Sequence, residues 1–372
     1  MDKRHPTPQA LEYTQQEALN AEVPPLGRCR IMVIGVGGAG NNTVTRLTKR
    51  GIPDIECIAV NTDAVHLESS EADKKILIGK KLTKGLGVGG DPELGRAAIE
   101  ESRKQVADLL KDVDIAFITA GLGGGTGTGA APVIAEMARR EGAVTIGVVT
   151  TPFRIEKGRT RYACRSLEEM QTKCDTLVVI DNNKLLQLVP QLPINEAFRV
   201  ADQVLADMIK GITETISAPS LINLDFADFK TIARRSGIAV MGVGESDAPN
   251  RAEEAVKNAL TSPLLDVDYA GATGALIHVS GGNQMTIEEA NRVGEIVTEM
   301  MDDEALVIWG ARINPELEGT LKVILLMTGM KTSKLLNGFD TIAPLLYNME
   351  PYAKPEKPLN IELNLYQMEN FQ

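Results

Sequence analysis

Short apolar runs alternate with amphipathic stretches through the first half of the chain. Residues 29–35 carry Ile31, Met32, Val33 and Ile34 without a polar break and predict a buried strand, and residues 41–50 predict a helix. Strands follow at 55–60, 76–78, 113–119 and 143–150, with helices at 92–110 and 130–140, and a strand at 176–180 continues the series. Runs that are apolar throughout, not only at every second position, suit strands covered on both faces. The pattern therefore predicts an α/β fold built on a Rossmann-like parallel sheet with helices on both sides.

Over 195–217 the period changes. Phe198, Ala201, Leu205, Met208, Ile212 and Ile216 recur at steps of three and four, the mark of one long amphipathic helix. A smaller α/β block follows, with strands near 238–243, 275–280, 305–308 and 321–327 and helices near 250–260 and 287–301. The chain is expected to divide into a polar extension (1–28), a first α/β domain (29–194), the linking helix (195–217), a second domain (218–330) and a tail (331–372).

Composition narrows the function. The 372 residues carry 39 Lys+Arg against 50 Asp+Glu, a formal net charge of −11. That balance lacks the concentrated positive face that a nucleic-acid binder needs to displace counterions. Cys29, Cys57, Cys164 and Cys174 have no C-x-x-C spacing, and His5, His66 and His278 lie far apart, so neither a disulfide framework nor a zinc site is expected. The leader lacks a signal peptide's apolar core, and no run reaches the roughly 18 apolar residues of a membrane span. A soluble cytoplasmic protein without direct membrane insertion is the expectation.

Of 34 glycines, 14 fall in three stretches, 35–40, 85–90 and 121–129. Clustering of this kind suggests backbone approaching a ligand. The first stretch, a G-x-G-x-x-G between strand and helix, is by itself a weak signal, read most simply as a dinucleotide site such as that of an NAD-dependent dehydrogenase and less often as a mere tight turn. The second, Gly121 to Gly129, places six glycines and two threonines in nine residues, far more than a turn requires. Two strand–glycine-loop–helix units imply one polyphosphate held from two sides, with the third stretch closing over its end. No G-x-x-x-x-G-K-[ST] motif occurs, so backbone amides must do most of the holding.

With Asn61-Thr62-Asp63, the turn Thr150 to Phe153, and Asn223-Leu-Asp225-Phe-Ala-Asp228, these loops resemble the tubulin/FtsZ family, and within it the FtsZ cell-division GTPases, over roughly residues 29–330. The resemblance implies a GTP-binding first domain. Gly38, Ala39, Gly40, Asn41 and Asn42, together with Gly123, Gly124, Gly125, Thr126, Gly127 and Thr128, would wrap the phosphates of GTP or GDP. Gly89 and Gly90 would lie near the γ-phosphate, Asn61 and Asp63 beside the first loop, and Glu156 at the ribose. Asn182, Phe198 and Asp202 would hold the guanine, although Phe198 on its own reads as ordinary helix core. Where the family places an arginine four residues after the glutamate, this chain has Thr160. Reading Lys157 as an insertion makes Arg161 the equivalent, with Arg159 on the other flank. Mg²⁺ is implied between the β- and γ-phosphates without a carboxylate cage.

The resemblance makes Asn223, Asp225 and Asp228 the catalytic set; on sequence alone Asp225 could equally cap the helix expected at 226–235. If the helix 195–217 begins beside the base, it carries the chain about 33 Å away before these acids. They then serve the next subunit's nucleotide in a head-to-tail filament. The implied function is a polymerising GTPase of the mid-cell division ring. A tubulin-like scaffold for cell shape or plasmid positioning is the alternative. In the tail Leu359, Ile361, Leu363 and Leu365 alternate with polar residues, which suits strand addition onto a membrane-tethering or division partner or a flexible end.

Overall fold

The computed structural model describes residues 29–183, 191–217, 226–234, 237–261 and 272–330. The expected extension and tail, with Asn223 and Asp225, lie outside the described residues.

The apolar runs form β1 (Ile31–Val36), β2 (Ile55–Asn61), β3 (Lys74–Leu77), β4 (Ile115–Gly121), β5 (Val144–Thr151) and β6 (Thr176–Asp181). They pair in parallel in the order β3-β2-β1-β4-β5-β6. Strand geometry explains the unbroken runs: Ile31 and Val33 enter one core layer, while Met32, Ile34 and Val36 enter the other. Strand order reverses between β1 and β4, whose ends are in register at Val36 and Ala120. Connections leave these neighbours in opposite directions, so a crevice opens above their C-terminal ends. The helices Gly37–Arg50 and Thr126–Arg140 both start there.

The long helix spans Ile194–Ser217 and buries Leu205, Met208, Ile209 and Ile212 in the layer shared by both halves of the molecule. Beyond it, β7 (Gly237–Ser246), β8 (Gly274–Gly281), β9 (Leu306–Ile313) and β10 (Leu321–Met330) form the second, smaller α/β unit, faced by helices Arg251–Leu260 and Ile287–Thr298. β7 and β8 run antiparallel to β10, and β9 runs parallel to β8. The two units share one ten-stranded sheet, but the join is narrow: β6 and β7 pair only at Thr176↔Gly237 and Leu177↔Ile238.

Three elements differ from the sequence expectation. The helix expected at 92–110 is two helices, Pro92–Glu101 and Arg103–Leu110, broken at Ser102, whose hydroxyl oxygen accepts from Gly79 N at 3.1 Å. A helix at Lys157–Lys173 was not anticipated, because its buried face is thin, Ala163, Ser166, Leu167 and Met170 among charged positions. The helix after the acidic motif ends at Ala233. Among the described residues no helix is long and apolar enough to cross a membrane.

One core side chain is chemically discordant. His278 on β8 is 1% exposed, and neither ring nitrogen finds a hydrogen-bond partner among the described residues. Burial, aided by Arg312, pushes its pKa down to about 4. A lowered histidine pKa means that stability is complete above about pH 6.5 and lost as pH falls toward 4. His278→Leu should remove that acid slope, worth about 3 kcal/mol at pH 4, and stabilise the protein by about 1 kcal/mol or more at pH 7. Urea unfolding at pH 7, 5.5 and 4 measures both.

Candidate functional site

Three glycine stretches meet in the crevice, and burial separates their roles. In the first, Gly37, Gly40 and Asn41 are buried, while Gly38, Ala39 and Asn42 are exposed. A Cβ on Gly37 would lie 2.8 Å from Gly127 N, and one on Gly40 would lie 2.4 Å from Thr119 O. In the second, Gly123, Gly125, Thr126, Gly127 and Thr128 are buried and only Gly124 opens outward, with nothing within 4 Å of its Cβ position. In the third, Val88 is buried against Gly125, and Gly89 and Gly90 form an exposed tip. Most of these glycines are therefore demanded by loop-to-loop contact. The open surface of the crevice reduces to Gly38, Ala39, Asn42, Gly124, Gly89 and Gly90.

Side chains lock the loops together. Thr62 and Thr126 hydroxyls meet at 2.7 Å, and Thr128 Oγ1 accepts from Gly123 N at 2.9 Å. Gly87 N donates to Thr62 O at 3.1 Å. With its amide oriented to suit its neighbours, Asn41 donates to Gly35 O at 2.9 Å and Val60 O at 3.2 Å and accepts from Asn61 Nδ2 at 3.1 Å. Asn61 Oδ1 accepts from Thr62 N, and Asp63 caps the helix Ala64–Ser69 through His66 N at 3.0 Å.

Neither helix that starts in the crevice has a side-chain cap or an acidic residue in its first turn. Two uncapped N-termini side by side present backbone N–H groups and the positive ends of two helix dipoles to one space. Such a space suits an anion, and its doubling suits a polyphosphate.

The remaining predicted residues lie along the same edge of the sheet. β5 and β6 end level at Thr151↔Asp181. Phe153 follows the first, and its ring meets Phe198 edge-on at 5.8 Å. Asn182 follows the second, and its buried Oδ1 has no partner among the described residues. Asp202 accepts from Thr43 Oγ1 at 2.7 Å and pairs with Arg46. Burial raises its carboxyl pKa, with Arg46 opposing. Glu156 accepts from Phe153 N at 3.0 Å and pairs with Arg159. Both arginines are exposed, but Arg159 Cβ lies 2.9 Å from the Cβ position of Gly123, whereas Arg161 sits about 200° further round the helix.

Asp228 is far from all of these. Its helix, Phe226–Ala233, is anchored by fully buried Phe229 and by Thr176 Oγ1, which donates to Ala233 O at 2.8 Å. The next residue, Arg234, donates to Gly142 O at 3.3 Å. Thr176 begins β6 and Gly142 precedes β5, so this helix end lies at the edge of the sheet opposite the glycine loops. Around the crevice three apolar side chains stand in solvent: Val65 at 81%, Leu86 at 84% and Ile155 at 88% exposure.

Sequence reasoning passed over Thr43, Arg46, Thr62 and Val88. For Thr43 and Arg46 a signal existed, since one further turn of a loop-bearing helix faces whatever packs behind the loop.

The Tubulin/FtsZ family GTPase domain matches residues 30–190, and the FtsZ family C-terminal domain matches 237–331. Cell division protein FtsZ 2 of Methanocaldococcus jannaschii is 55% identical over 318 residues, 85% of this chain and 83% of that protein. FtsZ 2 of Haloferax volcanii is 48% identical over 325 residues, 87% of this chain and 81% of that protein. An empty FtsZ dimer from M. jannaschii superposes with a TM-score of 0.76 at 49% identity, covering 88% of this chain and 94% of that one. CetZ2 of H. volcanii, a GTPγS-bound protofilament, gives 0.72 at 24% identity over 86% and 98%, a likeness of fold alone. The FtsZ family models and relatives do not favour the shape-scaffold or dehydrogenase alternatives.

The split between buried and open glycines is testable. Gly129→Ala would put Cβ 2.0 Å from Pro92 O, a backbone atom, and should cost about 3 kcal/mol or more. Gly124→Ala has open space and should stay within about 0.5 kcal/mol of wild type. Thermal unfolding of the two variants reads the difference.

Proposed function

Because the chain belongs to the tubulin/FtsZ family, as a cell-division GTPase of the FtsZ kind, we propose how its residues divide the binding and hydrolysis of GTP. The exposed backbone of Gly38, Ala39 and Gly124 and the side chain of Asn42 meet the phosphates, with Gly89 and Gly90 closing on the γ-phosphate. The buried members, Gly40, Asn41, Gly123, Gly125, Thr126, Gly127 and Thr128, hold that surface in shape. Asn182, Phe198 and Asp202 receive the guanine. Glu156 faces the ribose, and Arg159 is the arginine on the pocket side. Residues 29–194 form the nucleotide domain, with the helix 195–217 leading to the domain 218–330.

Mg²⁺, if it accompanies the nucleotide, would offset charge gathering on the transferred phosphoryl group, with Asp63 the carboxylate beside the first loop. Among the described residues no cluster of three or more His, Cys, Asp or Glu side chains could hold a metal.

The observation that carries the reading is the separation of the two halves of the chemistry. Glycine loops occupy the C-terminal edge of the parallel strands, whereas the helix bearing Asp228 is pinned at the N-terminal edge, about 20 Å away along a seven-residue strand. Asp225 and Asp228, with Asn223, would therefore align and polarise water for the neighbouring subunit's GTP, work that is mainly positioning and electrostatics. The contact is head to tail and repeats into an open filament. Val65, Leu86 and Ile155 form the rim that the neighbour covers. The filament builds the mid-cell division ring, with the tail engaging membrane-tethering or division proteins.

Asp228→Ala should bind GTP as wild type does yet hydrolyse it at least a hundredfold more slowly. Gly124→Asp should fold but repel phosphate, and alone be equally inactive. An equimolar mixture should recover about a quarter of wild-type turnover, because some contacts join an intact cradle to an intact acidic motif. Mixtures that sediment together on GTP addition but recover nothing would rule out sharing between chains.

A further inference from the structure

Asp202 is a carboxylate in an enclosed place. Its side chain is 11% exposed on the helix Ile194–Ser217, where Thr43 Oγ1 donates to Oδ1 at 2.7 Å and Arg46 pairs with Oδ2. Both partners come from the helix Gly37–Arg50, which starts in the first glycine stretch. The loop facing the phosphates and the groups holding Asp202 are therefore one rigid piece.

The protonation state of such a carboxyl determines what it can recognise. An ionised carboxylate only accepts, and can take two hydrogen bonds at once. Guanine offers two adjacent donors, N1–H and the 2-amino group. A neutral carboxyl carries one donor and one acceptor, which suits adenine's N1 and 6-amino group instead. Burial favours the neutral form of Asp202, and Arg46 is the largest influence opposing it. Thr43 and, more weakly than Arg46, Arg50 also favour the ionised form. Arg50 itself faces Asp207, at 3.7 Å.

We propose that Arg46 sets the base specificity of the pocket: by keeping Asp202 an acceptor-only group it selects guanine over adenine and hypoxanthine nucleotides. Arg46 is a positioning residue, acting through Asp202 without touching the base. The inference rests on the reading that Asp202 meets the guanine.

The test is equilibrium binding of GDP, IDP and ADP to the full chain at pH 8 and pH 6, for wild type, Arg46→Met, Arg46→Lys, Asp202→Asn and Asp202→Ala. IDP lacks the 2-amino group, so the GDP/IDP ratio reports the second acceptor. Without Arg46 the carboxyl pKa rises further, so protons bind as pH falls and guanine affinity is lost on the acid side. Arg46→Met should bind GDP about tenfold more weakly at pH 6 than at pH 8, with its GDP/IDP and GDP/ADP ratios moving toward one. Arg46→Lys should restore most of the ratio. Asp202→Asn, whose amide has one acceptor and one donor at any pH, should show the reduced ratio at both pH values even if Arg46→Met does not fold. If Arg46→Met weakens all three nucleotides by the same factor, or changes none, the role of Arg46 is overturned. If Asp202→Ala binds GDP as wild type does, the placement of Asp202 at the base fails, a separate outcome.

Discussion

The whole arrangement depends on one topological constraint, the reversal of strand order between β1 and β4. Two neighbouring parallel strands end level, at Val36 and Ala120, and each is followed by a helix. Had the strand order run on without a switch, the two helix N-termini would stand apart, each a weak anion site. Side by side, and without side-chain caps, they combine into one positively polarised floor. The interlock of Gly37 with Gly127 and of Gly125 with Val88 allows that floor to be close-packed beneath and open above.

The second consequence of the parallel sheet is polarity. Everything that follows the C-terminal ends of the strands opens onto the crevice; everything that precedes their N-terminal ends opens onto the opposite edge. The helix Phe226–Ala233 is held at the far edge by Thr176 and, through Arg234, by Gly142. The long helix Ile194–Ser217 connects these poles, buried between the units and joined to the nucleotide-side helix through Asp202 with Arg46 and Asp207 with Arg50. A molecule polarised in this way is suited to stacking, since one end carries a pocket with an apolar rim and the other carries the acid.

Much of the fold was legible along the chain. The unbroken apolar runs revealed strands covered on both faces, and the three-four rhythm from Phe198 to Ile216 revealed the long helix. The helix Lys157–Lys173 was not legible, because a helix lying on the outside of a sheet needs only a thin apolar stripe. Neither was the break at Ser102, which answers to Gly79 more than 20 residues away. At the site, glycine clustering marked the crevice, but residue type alone could not tell Gly124, which faces open space, from Gly129, which faces a carbonyl. Spacing alone pointed to Arg161, whereas helix geometry turns Arg159 toward Gly123 and Arg161 to another side.

What the sequence by itself determined is the set of local preferences: where strands and helices form, where backbone can approach backbone, which acids and amides are available, and which family the motifs resemble. What only the tertiary structure decided is which of those groups share a space. It separated packing glycines from open ones, paired Arg46 with Asp202, left the oxygen of Asn182 buried without a partner among the described residues, and set the helix of Asp228 at the opposite edge. The reason is physical: propensity and periodicity act over a few residues, whereas contacts such as Thr62 to Thr126 or Thr43 to Asp202 join residues 64 and 159 positions apart. Those distances are closed only by the packing of the sheet and its helices.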